Sequence, residues 1–257
     1  MGRGRQLLVA LLAAPALALA AGDEVPLDRA PIDEYDLISL QRGARVYVNY
    51  CLGCHSASYM RYNRLEDLGL TAQQIRDNLI FAGAKVGDLM KNNMNPNDAK
   101  EWFGAVPPDL TVIARSRASP AGSGADWLYT YLRSFYRDPA RPTGWNNVVY
   151  RDVGMPHVLW QLQGEQELRT EVVTIPRGND EEDVEKREVQ KLVFARPGSL
   201  NPLEYDRLVG DLVNFLAYMA EPVKRTRIEI GFYVLLFLAI LFVLAYALKK
   251  EYWKAVH

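Results

Sequence analysis

Apolar and polar positions along the chain follow four successive patterns. Residues 7–20 form an apolar run behind Arg3 and Arg5. From Leu37 to Tyr50 the apolar positions recur at helical spacing, with Leu37, Leu40, Ala44 and Val48 on one face and Gly43 and Tyr47 beside them. Thr71 and Gln74 have the spacing of a capping box, which predicts a helix to about Phe81 that stops at Gly83. The Gly-, Asn- and Pro-rich stretch Gly87–Asn97 reads as loop. Pro107-Pro108-Asp109 sets a rigid corner with Asp109 as a helix cap, followed by a short helix through Arg117 and a longer one over Asp126–Tyr136. Residues 138–157 hold Pro139, Pro142, Gly144, Gly154 and Pro156 and read as a long irregular stretch, of a length that in a compact domain usually carries function.

Past Trp160 the pattern becomes strand-like. Thr170–Ile175 and Val189–Phe194 alternate around Pro176–Arg187, which contains Asp180, Glu181, Glu182, Asp183 and Glu185, and this predicts a hairpin with a charged tip. Asn201 then caps a helix with Pro202 first and Glu204 third; its stripe is Leu208, Leu212, Phe215, Leu216 and Met219, and Pro222 marks its end. The last pattern is Ile228–Leu248, apolar on all sides with Glu229 as its single charge. At about 1.5 Å per residue it spans roughly 31 Å, the thickness of a hydrocarbon core.

Composition changes this picture little: 49% hydrophobic and 24% charged residues describe a folded chain. The small acidic excess behind the formal net charge of -1 lies between the two apolar segments, which suits a basic protein partner rather than nucleic acid. A basic flank, a short apolar core and the small-residue exit Ala18-Leu19-Ala20 predict a secretory signal peptide over 1–20. Lys224, Arg225 and Arg227 on one side of the second segment balance Lys249, Lys250 and Lys254 on the other. The signal peptide therefore sets the orientation: an exported domain over 21–227, a transmembrane anchor over 228–248 and a cytoplasmic tail over 249–257.

The candidate chemistry sits in Cys51-Leu52-Gly53-Cys54-His55, a C-x-x-C-H sequence that holds both cysteines of the protein. This is the attachment spacing of a c-type haem, in which two thiols form thioethers and the adjacent imidazole lies under the iron. A thioredoxin-like pair lacks its βαβ setting, a zinc site lacks ligands beyond His55, His157 and His257, and a disulfide leaves His55 without a purpose. An electron carrier needs a sixth ligand. The candidates are Met60, Met90, Met94, Met155, Met219 and His157; Met155, between Gly154 and Pro156, is best presented, and His157 stands two residues away. A thioether ligand favours reduced iron and raises the potential.

Four stretches together resemble the cytochrome c1 family, the haem subunit of ubiquinol:cytochrome c oxidoreductase (the cytochrome bc1 complex). They are Arg42–Tyr47 leading into Cys51–Ser56, Val106–Leu110, Gly154-Met155-Pro156, and Asp211–Pro222 followed by the anchor. The resemblance implies a mainly α, class I cytochrome c-like haem domain with a small β-hairpin insertion and one C-terminal transmembrane helix. It implies one covalent haem c on Cys51 and Cys54, axial ligands His55 and Met155, Pro108 against the haem, and Arg117 on a propionate with Arg115 as runner-up. Where this family commonly shows Gly-Met-Ala-Pro, the chain has Gly154-Met155-Pro156-His157, which keeps His157 in play. The implied partners are cytochrome b, the Rieske iron-sulfur protein and cytochrome c as acceptor, in a dimeric complex of the bacterial inner membrane with the haem domain in the periplasm. No separate catalysis is implied for this chain. Two alternatives stay open, an anchored cytochrome serving another oxidase or reductase and a peroxidase-like haem enzyme with an open sixth position.

Overall fold

The structure, a computed structural model, describes residues 25–81, 83–176 and 184–255; the expected signal peptide and most of the charged hairpin tip lie outside them. The described chain is roughly half helical with three two-stranded antiparallel pairs. Helix α1, Leu37–Val46, starts where the Asp36 side chain accepts a hydrogen bond from the Ser39 amide. It does not continue as α-helix to Tyr50. Its last turn widens into a π-helical turn, Tyr47–Cys51, in which the Leu52 amide reaches back to the Tyr47 carbonyl. Such turns admit an extra residue and recur at functional sites; this one ends on the first cysteine.

Strand β1, Ala57–Arg61, pairs with β2, Leu89–Met90, inside a stretch that reads as loop. Between them run a 3-10 segment, Tyr62–Leu68, and α2, Ala72–Leu79, which opens on the capping box of Thr71 and Gln74. Helix α3, Pro96–Phe103, begins in the same expected loop. Asn95 caps it and Pro96 takes its first turn, but of its residues only Ala99 is buried, so no apolar stripe announces it. A short α4, Ile113–Ser116, precedes α5, Gly124–Arg133, capped by Ser123 and Asp126. Helix α5 stops short of Tyr136 because polar side chains take its last carbonyls. Asn147 Nδ2 donates to Tyr131 O at 2.8 Å and Gln163 Nε2 to Arg133 O at 3.0 Å. The chain then turns into β3, Phe135–Arg137, against β4, Trp145–Asn147.

After the short α6, Trp160–Gln163, the expected hairpin extends further than its alternating core, as β5, Gly164–Pro176, and β6, Val184–Pro197. Its neck is closed by the Gly164–Pro197 pairing, and Gln166 docks it by donating to the Arg133 and Phe135 carbonyls, both at 3.0 Å. Helix α7, Pro202–Ala220, opens on the Asn201–Glu204 capping box. Helix α8, Lys224–Tyr252, is 29 residues long with nothing buried, and its most apolar 18-residue stretch has a mean hydropathy of 2.6, so it is long and apolar enough to cross a membrane.

The core is built around α7. Helix α1 crosses it at Gly43, where a Cβ would lie 2.0 Å from the Asp211 carbonyl oxygen, so only a glycine permits the approach. One turn on, Tyr47 and Phe215 pack with ring centroids 5.8 Å apart. Asn214, fully buried on the same helix, accepts from the Asp33 amide and donates to Asp33 O and Ser39 Oγ. Asn214→Leu keeps the volume but loses all three bonds, and the expected cost is about 2 kcal/mol, read as a lower midpoint of thermal unfolding.

Candidate functional site

Both cysteines and His55 open onto one apolar cavity. The π-helical turn delivers Cys51, and the next turn follows with the Cys54 and His55 amides bonded to the Cys51 carbonyl. Tyr47 fixes this turn to α1: its buried hydroxyl donates to the His55 carbonyl at 2.8 Å. Burial pushes the Cys51 thiol up to about 12 and raises Cys54 as well. A reactive redox pair needs the opposite shift on one thiol, so the thioredoxin-like reading fails on environment as well as on setting.

His55 is held by the proline corner. Its Nδ1 lies 2.8 Å from the Pro108 carbonyl, which can only accept, so Nδ1 carries the proton and Nε2 keeps its lone pair. Burial lowers the imidazole below its ordinary value against the opposing pull of that carbonyl, which favours the neutral ring. The corner is itself anchored. Leu110 N donates to Ser56 O, and the Asp109 carboxylate accepts from Ser58 N, Thr111 N and Thr111 Oγ1. Burial alone would raise Asp109, but these bonds outweigh it and hold the carboxyl below its ordinary range. Asp109 is therefore not the helix cap expected of it: α4 has no side-chain cap, and the carboxylate instead stitches the corner to β1.

Of Met60, Met90, Met94, Met155 and Met219, only Met155 lines the cavity. Met60, Met90 and Met219 are buried in the core. The Met155 loop is brought in by Gly154, where a Cβ would stand 2.6 Å from the Phe103 carbonyl oxygen. The Met155 sulfur accepts a hydrogen bond from Tyr131 Oη at 3.3 Å. His157 lies among the aromatic rings behind this loop and is not part of the cavity wall. Its ring stacks on Phe135 at 4.8 Å and meets the edge of Trp145 at 5.1 Å, and burial lowers it to about 4.

Arg117 and Arg115 separate in the same way. Arg117 lines the cavity, its guanidinium 4.6 Å from the Trp127 ring and 5.5 Å from Tyr150, whereas Arg115 is exposed and elsewhere. The wall is extended by residues that were not among the expected site residues, including Trp127 and Tyr131 on α5, Leu212 and Leu216 on α7, and Tyr150. The stripe of α7 reads as ordinary core, yet part of it faces the cavity. Trp127 and Tyr131, one turn apart and stacked at 4.7 Å, are the one sequence signal that could have drawn attention to α5.

A model of the Cytochrome C1 family matches residues 28–175 and 201–256. The chain belongs to the cytochrome c1 family. It is 51% identical over 256 residues to the cytochrome c1 of Allochromatium vinosum, covering 98% of this chain and 100% of that one. At 49% identity over 251 residues it is also similar to a protein of Nitrosomonas europaea named ammonia monooxygenase gamma subunit, covering 98% and 97% of the two chains. The cytochrome c1 of Rhodospirillum rubrum is 26% identical over 244 residues, 86% of this chain and 83% of that one.

Family membership implies a haem, and the cavity suits one. Two thiols, an imidazole nitrogen with its lone pair available and a thioether sulfur converge on it, and the surrounding wall is apolar. The only guanidinium on that wall, among the described residues, is Arg117.

Proposed function

We propose that the chain is a membrane-anchored cytochrome that carries one electron from the Rieske iron-sulfur protein to a soluble or tethered cytochrome c, as the cytochrome c1 subunit of a bc1 complex. The observation that carries this reading is the single apolar cavity shared by Cys51, Cys54, His55 and Met155. One haem c would be held here, with Cys51 and Cys54 as its thioether attachment points and the His55 imidazole and Met155 thioether as the side chains offered to its iron. When bound, it supplies the one-electron couple. The chain's own residues set the conditions. The Pro108 carbonyl fixes the His55 tautomer and ring orientation, and Leu212, Leu216 and their apolar neighbours would keep water from the bound group. Arg117 offers a two-pronged donor to a propionate.

The domain is read as class I cytochrome c-like. It stands in the periplasm on a single span, Ile228–Leu248 within α8, after removal of residues 1–20. Cytochrome b is the membrane partner in an inner-membrane dimeric complex. The test is purification of the chain from its own membranes followed by rapid mixing with quinol. Co-purification with cytochrome b and a Rieske protein, and haem reduction that a Rieske-site inhibitor blocks, are the expected results.

The Nitrosomonas relative's name favours a second reading, an anchored cytochrome that serves a different oxidoreductase. Recovery of the chain without cytochrome b, and reduction insensitive to the inhibitor, would establish that reading instead.

A further inference from the structure

Tyr131 is buried on α5 with its ring clamped between Trp127, stacked at 4.7 Å and 13°, and Phe135, edge-on at 5.0 Å. This clamp leaves the phenol little rotational freedom and aims its hydroxyl into the cavity. There the hydroxyl donates to the Met155 sulfur at 3.3 Å, its only hydrogen bond among the described residues. A thioether sulfur has two lone pairs and is a weak acceptor. One pair can face a metal while the other takes a hydrogen bond.

We propose that Tyr131 is a positioning residue for Met155: its hydroxyl fixes the direction of the thioether lone pairs and withdraws electron density from the sulfur, which biases a sulfur-ligated haem towards its ferrous state. The inference rests on Met155 as axial ligand. The sign follows from charge. A sulfur made a poorer donor stabilises ferric iron less than ferrous iron, so the ligand's lift of the potential is enlarged.

The test uses the full-length, haem-loaded, detergent-solubilised protein. Wild type, Tyr131→Phe and Tyr129→Phe are each poised in the same redox buffer near the wild-type midpoint. Phenylalanine at 131 keeps the stack on Trp127 and the contact with Phe135, so the fold is retained. A hydrogen bond that strengthens on reduction by as much as an ordinary net hydrogen bond is worth corresponds to roughly a threefold to tenfold change. The expected result is a ferrous-to-ferric ratio lower by that factor in Tyr131→Phe and unchanged in Tyr129→Phe, which lies on the same helix outside the cavity. The weak red-edge band of sulfur-ligated ferric haem should persist in Tyr131→Phe at a shifted wavelength. An unchanged ratio in Tyr131→Phe with the band intact overturns the role of the hydroxyl while Met155 ligation stands. An equal fall in Tyr129→Phe overturns it too. Absence of the band from the wild type overturns the ligand assignment, and this inference with it.

Discussion

Met155→Leu is expected to abolish the red-edge absorption band of the ferric protein and to lower its reduction potential by about 0.2 V, within the range over which axial ligands tune haems. At about 59 mV per tenfold for a one-electron couple, that is on the order of a thousandfold in the ferrous-to-ferric ratio, enough to stall transfer to an acceptor of unchanged potential. Leucine has nearly the volume of methionine, so the cavity wall should survive at a cost below about 1.5 kcal/mol. The reduced variant should then bind carbon monoxide, which a wild type ligated by both His55 and Met155 should not. Persistence of the band would sink the assignment, since it would require sulfur from a methionine that the fold keeps out of the cavity. A wild type with neither the band nor carbon monoxide binding would point to His157, and that outcome would demand moving a ring now stacked flat on Phe135.

The largest effect on stability is expected at Gly43. In Gly43→Ala the new methyl meets a backbone oxygen 2.0 Å away and the Phe215 Cβ at 2.7 Å, so relief requires α1 and α7 to separate. Overpacking of this kind costs about 3 kcal/mol, and for a chain of this size that lowers the melting midpoint by about 10 °C. Gly87→Ala, where a Cβ meets nothing, should stay within about 0.5 kcal/mol of wild type. Equal midpoints for the two variants would show that the crossing yields more easily than its geometry indicates. Because Leu212 and Leu216 on α7 also wall the cavity, Gly43→Ala should broaden the haem spectrum before the domain unfolds.

Much of this was legible in the chain because its signals are local. The capping boxes at Thr71 and Asn201, the apolar stripe of α7 and the continuous run of α8 each need only neighbours in sequence, and each stands where it was expected. Elements set by distant partners were not legible. Helix α5 ends early because Asn147 and Gln163, far along the chain, take its carbonyls. Helix α3 has no apolar stripe to reveal it. The site divides the same way. C-x-x-C-H declares itself by spacing, and Met155 by the glycine and proline around it, whereas the Trp127–Tyr131 wall needs the fold to bring α5 against the Met155 loop. Asp109 shows the limit of pattern: an aspartate after two prolines has the form of a cap, but it caps no helix and instead binds Thr111 beside it and Ser58 on the distant β1.

The hairpin of β5 and β6 begins and ends at one point, since Gly164 pairs with Pro197 and Gln166 pins the neck to α5 and β3. The family match resumes only at residue 201, after the return strand. A segment whose two ends already touch is topologically a side branch. Doubling its length adds only about 0.6 kcal/mol of closure entropy, and trimming it leaves the neck to seal itself. The chain thus carries a splice point at which evolution or a protein engineer can add, shorten or exchange whole modules while the cavity walls keep their register.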